Sequence, residues 1–185
     1  MMFNRNFKRQ FKLGLLVYLL TSSSLFAAAI ELPEENTEGL QRISDTGLAV
    51  VYVKPGVDMN RYSRIYLEDT SVSFKENWQR NRNRSTSNRV SNSDLVRIKS
   101  DLAGLFHDVF TRILEDGAYT LASAYGNNVL LIKPAIINLD IVAADFNAAG
   151  RSRTIAESAG EMTLYLELYD SMTGELLAKV LDLQL

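Results

Sequence analysis

The chain contains no cysteine. Without thiols no disulfide can staple the fold, and no lipid can be attached to an N-terminal cysteine, so stability must come from packing. Histidine is nearly as scarce. His107 is the only one, and a lone imidazole builds neither a catalytic triad nor a metal site without partners. It sits between Phe106 and Asp108 in a helix-patterned stretch and reads as a border position of a buried stripe. Long apolar runs are missing too. The apolar run from Leu13 to Leu20 is far short of the roughly 20 residues that cross a hydrocarbon core. Phosphate loops are absent as well: Pro55-Gly56 lacks the glycine spacing and the following helix that such a cradle requires, and reads as a turn.

What is present begins with the N-terminus. Arg5, Lys8, Arg9 and Lys12 precede the apolar run, a polar stretch from Thr21 to Ser24 follows, and Ala27, Ala28 and Ala29 supply small side chains. This is the layout of a secretory signal peptide over residues 1–29, cut after Ala29. The alternative, an uncleaved anchor, would have to extend through Thr21 and three serines. Four of the 20 Lys and Arg and none of the 22 Asp and Glu lie in this segment, which leaves 16 against 22 and a net charge of −6 on the mature chain. Such a balance gives no general pull toward nucleic acid. Export predicts a periplasmic protein with no transmembrane helix in the mature chain.

Residues 30–47 are polar, acidic and without sustained period, and read as a flexible N-terminal lead. Residues 48–185 are long enough for a single α/β domain. Within it, 48–53 reads as a strand stopped by Pro55-Gly56. Residues 64–72 read as a second, with Ile65, Leu67 and Asp69 on one face and Tyr66, Glu68 and Thr70 on the other. Leu95, Ile98, Leu102, Leu105, Phe106, Val109, Phe110, Ile113 and Leu114 recur at spacings of three and four, which predicts a helix over 92–116 with its apolar stripe on a sheet. Ser91 and Asp94 form a capping-box pattern, and Gly117 is placed to end the helix in the left-handed conformation. Residues 119–122 suit a short edge strand, and 125–128 a turn. A β-rich run over 129–142 is apolar on both faces, and Pro134 within it predicts a bulge or an unpaired side. Residues 161–169 alternate, with Met162, Leu164, Leu166 and Leu168 inward and Thr163, Tyr165, Glu167 and Tyr169 outward. A turn at 170–174 then joins a last strand over 176–183 in a hairpin.

The expected fold is α+β: a two-layer sandwich in which a mostly antiparallel or mixed sheet of about five strands is covered by one long helix. The sequence stops inside an apolar strand. That leaves one sheet face without a second helix and predicts either a truncated domain or a partner.

Candidate chemistry is sparse. Asp140 and Asp145 are close in sequence, but catalytic carboxylates need opposed positions in a cleft, and both read as strand-end and turn residues. Asp170 and Glu175 bracket the hairpin turn and read as structural. No catalytic residue, cofactor site or metal site is assigned. One segment stands apart. Residues 77–93 hold no acid at all, yet carry Arg80, Arg82, Arg84 and Arg89 among Asn, Ser and Thr, with Trp78 near the start. If extended, Arg80, Arg82 and Arg84 project from one side, and guanidinium forks of this kind bind phosphate or carboxylate. The competing reading is a mobile, solvated loop. If the strand after the helix runs parallel to the second strand, residues 143–159, with Arg151 and Arg153, emerge at the same end and the two segments form one anion-binding surface. If 119–122 instead reverses direction, they lie at opposite ends.

A resemblance is carried by particular stretches. Gly150-Arg-Ser-Arg-Thr, then Ser158-Ala-Gly-Glu-Met-Thr-Leu-Tyr-Leu-Glu-Leu-Tyr-Asp-Ser-Met-Thr-Gly-Glu-Leu-Leu-Ala, with Val51-Tyr-Val-Lys-Pro-Gly-Val-Asp, Tyr62 and Val129-Leu-Leu-Ile-Lys-Pro-Ala-Ile, is similar to a bacterial envelope family, domain of unknown function 3313. The likeness spans about residues 48–182 and is most specific around 170–175. It implies a lipoprotein-like envelope protein with no assigned activity, whose members continue past the position of Asp182. Ala27 to Ala29 stand where a lipid-bearing cysteine would be needed, so this chain is expected to be released from the membrane. The expected function is a non-catalytic accessory or structural protein of the bacterial cell envelope. The alternative is a binding module for anionic envelope material, lipopolysaccharide phosphate or cell-wall polymer, gripped by the arginines. The partners expected are an envelope protein or such a polymer.

Overall fold

The computed structural model describes residues 36, 38–85, 89–117, 119–141 and 159–184. Residues 1–29, read above as a signal peptide, and Asp145, Arg151 and Arg153 lie outside them. The described residues form one α+β unit: an eight-stranded mixed sheet and two helices. Its strands are β1 (Gln41–Ile43), β2 (Val50–Val53), β3 (Arg64–Leu67), β4 (Ser71–Phe74), β5 (Thr120–Leu121), β6 (Val129–Ile141), β7 (Ala159–Asp170) and β8 (Leu176–Gln184). The helices are α1 (Trp78–Ser85) and α2 (Asn92–Asp116). The sheet runs in the order β1-β2-β8-β7-β6-β3-β5, with β4 also paired to β6. The strands from β1 through β8 and β7 to β6 pair antiparallel, whereas β3, β4 and β5 enter in parallel.

Three expectations change. The sheet has eight strands rather than about five, and there are two helices rather than one. Of the strands beyond that number, β1 has three residues, too few to show a period, whereas the short edge strand expected over 119–122 is present as β5. Part of the lead expected to be flexible is thus structured: β1 pairs with β2, and Leu40 beside it is 1% exposed. There the Asn36 side-chain oxygen accepts from the Glu38 and Leu40 N–H groups and holds the turn into the strand.

The expected strand over 64–72 is split, and Pro134 explains the split. Glu68 N–H donates to the Ile132 carbonyl (2.9 Å), so Ile132 turns its backbone groups toward β3, and Pro134, two residues on, faces the same way. Proline has no N–H to give there. Pairing lapses at 68–70 and resumes when Ser71 registers with Ala135. A bulge follows at Asn138, whose φ is 55° and where the register shifts between Ile137 and Asp140.

Helix α2 spans the predicted residues. The Ser91 hydroxyl accepts from Asp94 N–H while Ser91 N–H donates to the Asp94 carboxylate (2.9 Å), a reciprocal capping box. The C-terminal end differs from expectation: Gly117 has φ −77°, and its N–H closes onto the Ile113 carbonyl at 3.0 Å. Gly117 itself is right-handed and continues the last turn.

The α2 stripe divides between two clusters on one sheet face. Phe110 and Leu114 pack with Ile65, Leu130, Ile132 and Leu168, while Ile98 and Leu102 pack with Ile136, Leu139 and Ile141. Over β2, β8 and β7 the same face is covered by Leu48, Val57 and Met59. A cavity of about 20 Å³ remains between Thr46, Leu48, Val51 and Met59, room for about one water. The strand alternation expected for 161–169 is present, with Leu166 and Leu168 in the core and Glu167 on the opposite face.

Candidate anion-binding site

The arginine segment is a helix, not an extended strand. At 100° per residue, Arg80 and Arg84 share a face one turn apart, and Arg82 lies on the other side. Arg80, Arg84 and Arg89 are exposed, and Arg82 is half-buried on the side of Trp78. The predicted alignment of Arg80, Arg82 and Arg84 is thus replaced by the pair Arg80 and Arg84.

Composition alone disfavours this helix, and its anchors explain it. Trp78 is 6% exposed and stacks on Phe74, centroids 4.4 Å apart and planes 17° off parallel, inside the cluster of Val90, Ile98 and Leu139. Asn83 clamps the other end: its side-chain oxygen accepts from Val90 N–H at 2.7 Å and its NH₂ donates to the Val90 carbonyl at 3.0 Å. Gln79 adds a bond to the same carbonyl (3.0 Å). Arg82 and Arg84 fall in the last turn, where positive charge opposes the negative end of the helix dipole. The result is a held platform rather than a solvated loop. No described residue forms an ion pair with Arg80, Arg84 or Arg89, whereas Arg97 is neutralised by Asp94 (2.6 Å) and Lys75 by Glu161 (2.8 Å) and Asp140 (3.7 Å).

The sheet topology bears on Arg151 and Arg153. Strand β5 is separate but does not reverse, since it pairs parallel with β3, and β6 is parallel to both β3 and β4. Phe74, where the chain leaves for α1, registers with Leu139. Ile141 and Ala159, which bound segment 142–158, pair with each other at that same end. The described residues next to both arginine-bearing segments, Phe74 for the first and Ile141 and Ala159 for the second, therefore lie at one end of the sheet.

The other candidates are structural. Asp170 is 5% exposed and accepts from the Tyr62 hydroxyl (2.8 Å) and from the N–H groups of Met172 (2.9 Å) and Thr173 (3.0 Å). The Thr173 N–H above all, and then the Tyr62 hydroxyl, hold its carboxyl below the usual range. Glu175 pairs with Lys54. His107 is half-buried on α2. Among the described residues no group of three or more His, Asp or Glu could hold a metal ion, and no helix is long and apolar enough to cross a membrane.

One network escaped the sequence. On the sheet face away from α2, register aligns Tyr52, Lys179, Glu167 and Lys133 in one row. Glu167 accepts from the hydroxyls of Tyr165 (2.5 Å) and Tyr169 (2.8 Å), and Lys179 reaches Glu38 (2.6 Å) and Glu167 (3.4 Å). Burial, then the bond to Glu167, pushes both tyrosines up to about 12. Burial opposes the Glu167 charge but is outweighed by its hydroxyl donors and Lys179, so its carboxyl is held low. The outward alternation of Tyr165, Glu167 and Tyr169 was visible. The cross-strand lysine depends on register, which a single sequence does not carry. These charges satisfy one another, unlike those of Arg80 and Arg84.

Residues 35–184 match the family described as "Protein of unknown function (DUF3313)". No curated protein matches the chain. Among solved structures, a PDZ domain protein from Parabacteroides distasonis aligns at 14% identity and a TM-score of 0.37, over 73% of this chain. The chain spans 29% of the length of that protein.

Proposed function

The chain belongs to the DUF3313 family, and on that premise we propose that it is a non-catalytic accessory protein of the bacterial cell envelope that holds phosphate-bearing envelope material at α1. Residues 1–29 export it, and the mature protein works in the periplasm. The observation that carries this reading is the ordered helix α1, which presents Arg80 and Arg84 on one exposed face with no described partner in ion-pair reach. Two guanidiniums one helical turn apart suit the several oxygens of a phosphate, and Arg89 widens the field. Arg151 and Arg153 belong to the same reading, since Ile141 and Ala159, which bound their segment, lie at that end of the sheet.

Cosedimentation with vesicles of phosphorylated lipopolysaccharide, against dephosphorylated lipopolysaccharide, tests it. Retention is expected to need the phosphate and to fall steeply with salt. Arg80→Gln with Arg84→Gln is expected to weaken binding by about tenfold or more, a loss of about 1.4 kcal/mol or more. Retention that ignores salt, phosphate and both arginines would overturn the anion reading and leave a protein partner as the basis of the accessory role.

A further inference from the structure

Among the described residues the outer edge of β4 is unpaired, and its backbone orientation follows from the hydrogen bonds on either side of it. Lys75 N–H donates to the Leu139 carbonyl (3.0 Å) and Glu68 N–H to the Ile132 carbonyl (2.9 Å), both toward β6. Strand residues alternate, so Ser71 and Ser73 also address β6 while Val72 and Phe74 turn their N–H and C=O groups outward. No described residue hydrogen-bonds to those outward groups. The neighbouring edge is sealed only briefly: β5 pairs with Arg64 and Ile65, Ala122 N–H closes onto the Ile65 carbonyl (2.8 Å), and no described strand follows it beside β4.

Edge strands are commonly protected by proline, lysine, or a bulge that twists the edge away. β4 reads Ser-Val-Ser-Phe with Lys75 directly after it, holds no proline, and has the bulge at Asn138 in the inner strand β6, so only its four-residue length and Lys75 guard the edge. The side chains fit pairing as well. Val72 and Phe74 are half-buried and rest on the core, leaving the edge flat between them. In the lapse just before it, Thr70 is 8% exposed, with a hydroxyl that has no hydrogen-bond partner among the described residues. Exposed Asp69 and Glu76 flank the strand, and at its α1 end the Lys99 ammonium, in no ion pair with a described residue, lies 5.9 Å from the centre of the Phe74 ring.

We propose that the β4 edge is a strand-addition site that takes an extended peptide segment of a partner protein carrying acidic side chains. Main-chain bonds to Val72 and Phe74 supply the pairing, and an acid next to Lys99 fixes the end of the peptide that lies at α1. The site is distinct from the exposed Arg80 and Arg84 face, and the inference does not rest on the phosphate-binding reading.

Amide hydrogen exchange on the folded chain tests it, with a capped heptapeptide alternating valine and glutamate as probe. In the free protein, the Val72 and Phe74 amides are expected to exchange at least about tenfold faster than those of Glu68 and Lys75. The probe is expected to slow Val72 and Phe74 by about tenfold or more. Its lysine counterpart is expected to do so only weakly, and Lys99→Glu to reverse that preference. Arg80→Gln with Arg84→Gln is expected to leave the protection in place. If that double variant abolishes protection, the probe is merely a polyanion held at α1, and the strand-addition site is refuted while the phosphate reading stands. Val72 and Phe74 amides already as slow as Lys75 in the free chain, or unmoved by millimolar probe, would equally refute it.

Discussion

Replacing Asp170 with alanine is expected to destabilise the fold by about 3–5 kcal/mol, a large share of the 5–15 kcal/mol available to a domain of this size. The carboxylate is 5% exposed and ties three donors together: the Tyr62 hydroxyl and the N–H groups of Met172 and Thr173. Alanine leaves all three without their acceptor, so the loss exceeds that of any single bond. Asp170→Asn, which keeps an acceptor oxygen for the turn, is expected to cost less, and Tyr62→Phe about 1.5–3 kcal/mol. The two sites share one bond, so the double variant is expected to cost less than the sum of the singles. Urea unfolding of the four proteins checks this order.

The same pair sets a pH window. The carboxyl of Asp170 is depressed in the folded chain, chiefly by the Thr173 N–H, so its contribution is present above the unfolded carboxylate value of about 3.9 and fades as pH falls through the lower folded value. Tyr62 is pushed up to about 12 by burial and by its bond to Asp170. Its contribution is therefore full below pH of about 10 and is lost as pH rises from there toward 12. The wild-type melting temperature is expected to fall at both extremes, and Tyr62→Phe to flatten most of the part of the alkaline limb that Tyr62 contributes.

Trp78→Ala is expected to cost about 3–5 kcal/mol, the range for removing a buried aromatic side chain, and to do something a generic core deletion does not. Trp78 stacked on Phe74 is one of the two anchors of α1. Without it, the remaining clamp, Asn83 on Val90, must hold an otherwise polar eight-residue helix, too short to persist unaided. Vesicle binding is therefore expected to drop about as far as in the double arginine variant, although no positive charge is removed. A control such as Leu168→Ala, deep in the other cluster, is expected to lose comparable stability and to keep binding, provided both are measured where they remain folded.

Long elements were legible because period accumulates. The α2 stripe runs through seven turns with a capping box before it, and β7 alternates over most of its length, so their bounds and faces follow from side-chain spacing. Pro134 announced an unpaired side, and the lapse at 68–70 is its physical outcome. The elements missed are those whose reason for existing lies elsewhere in the chain. β1 is a strand only because β2 offers it an edge. α1 looks like a solvated loop because its anchors, Phe74 and Val90, sit outside it, and a run of Asn, Arg and Ser has no period to show. The cationic character of the site was in the composition, whereas its geometry depended on those two contacts.

The central claim is that Arg80 and Arg84 on α1 are the groups that meet phosphate. The most direct measurement is a titration of the folded chain with pyrophosphate, following the Nε–Hε resonances of the arginine side chains. The expected result is saturable movement of Arg80 and Arg84 that disappears at high salt, while Arg61, whose guanidinium lies 3.7 Å from the Asp170 carboxylate, and Arg64 on β3 stay in place. Movement of all four alike, or of none, would contradict it.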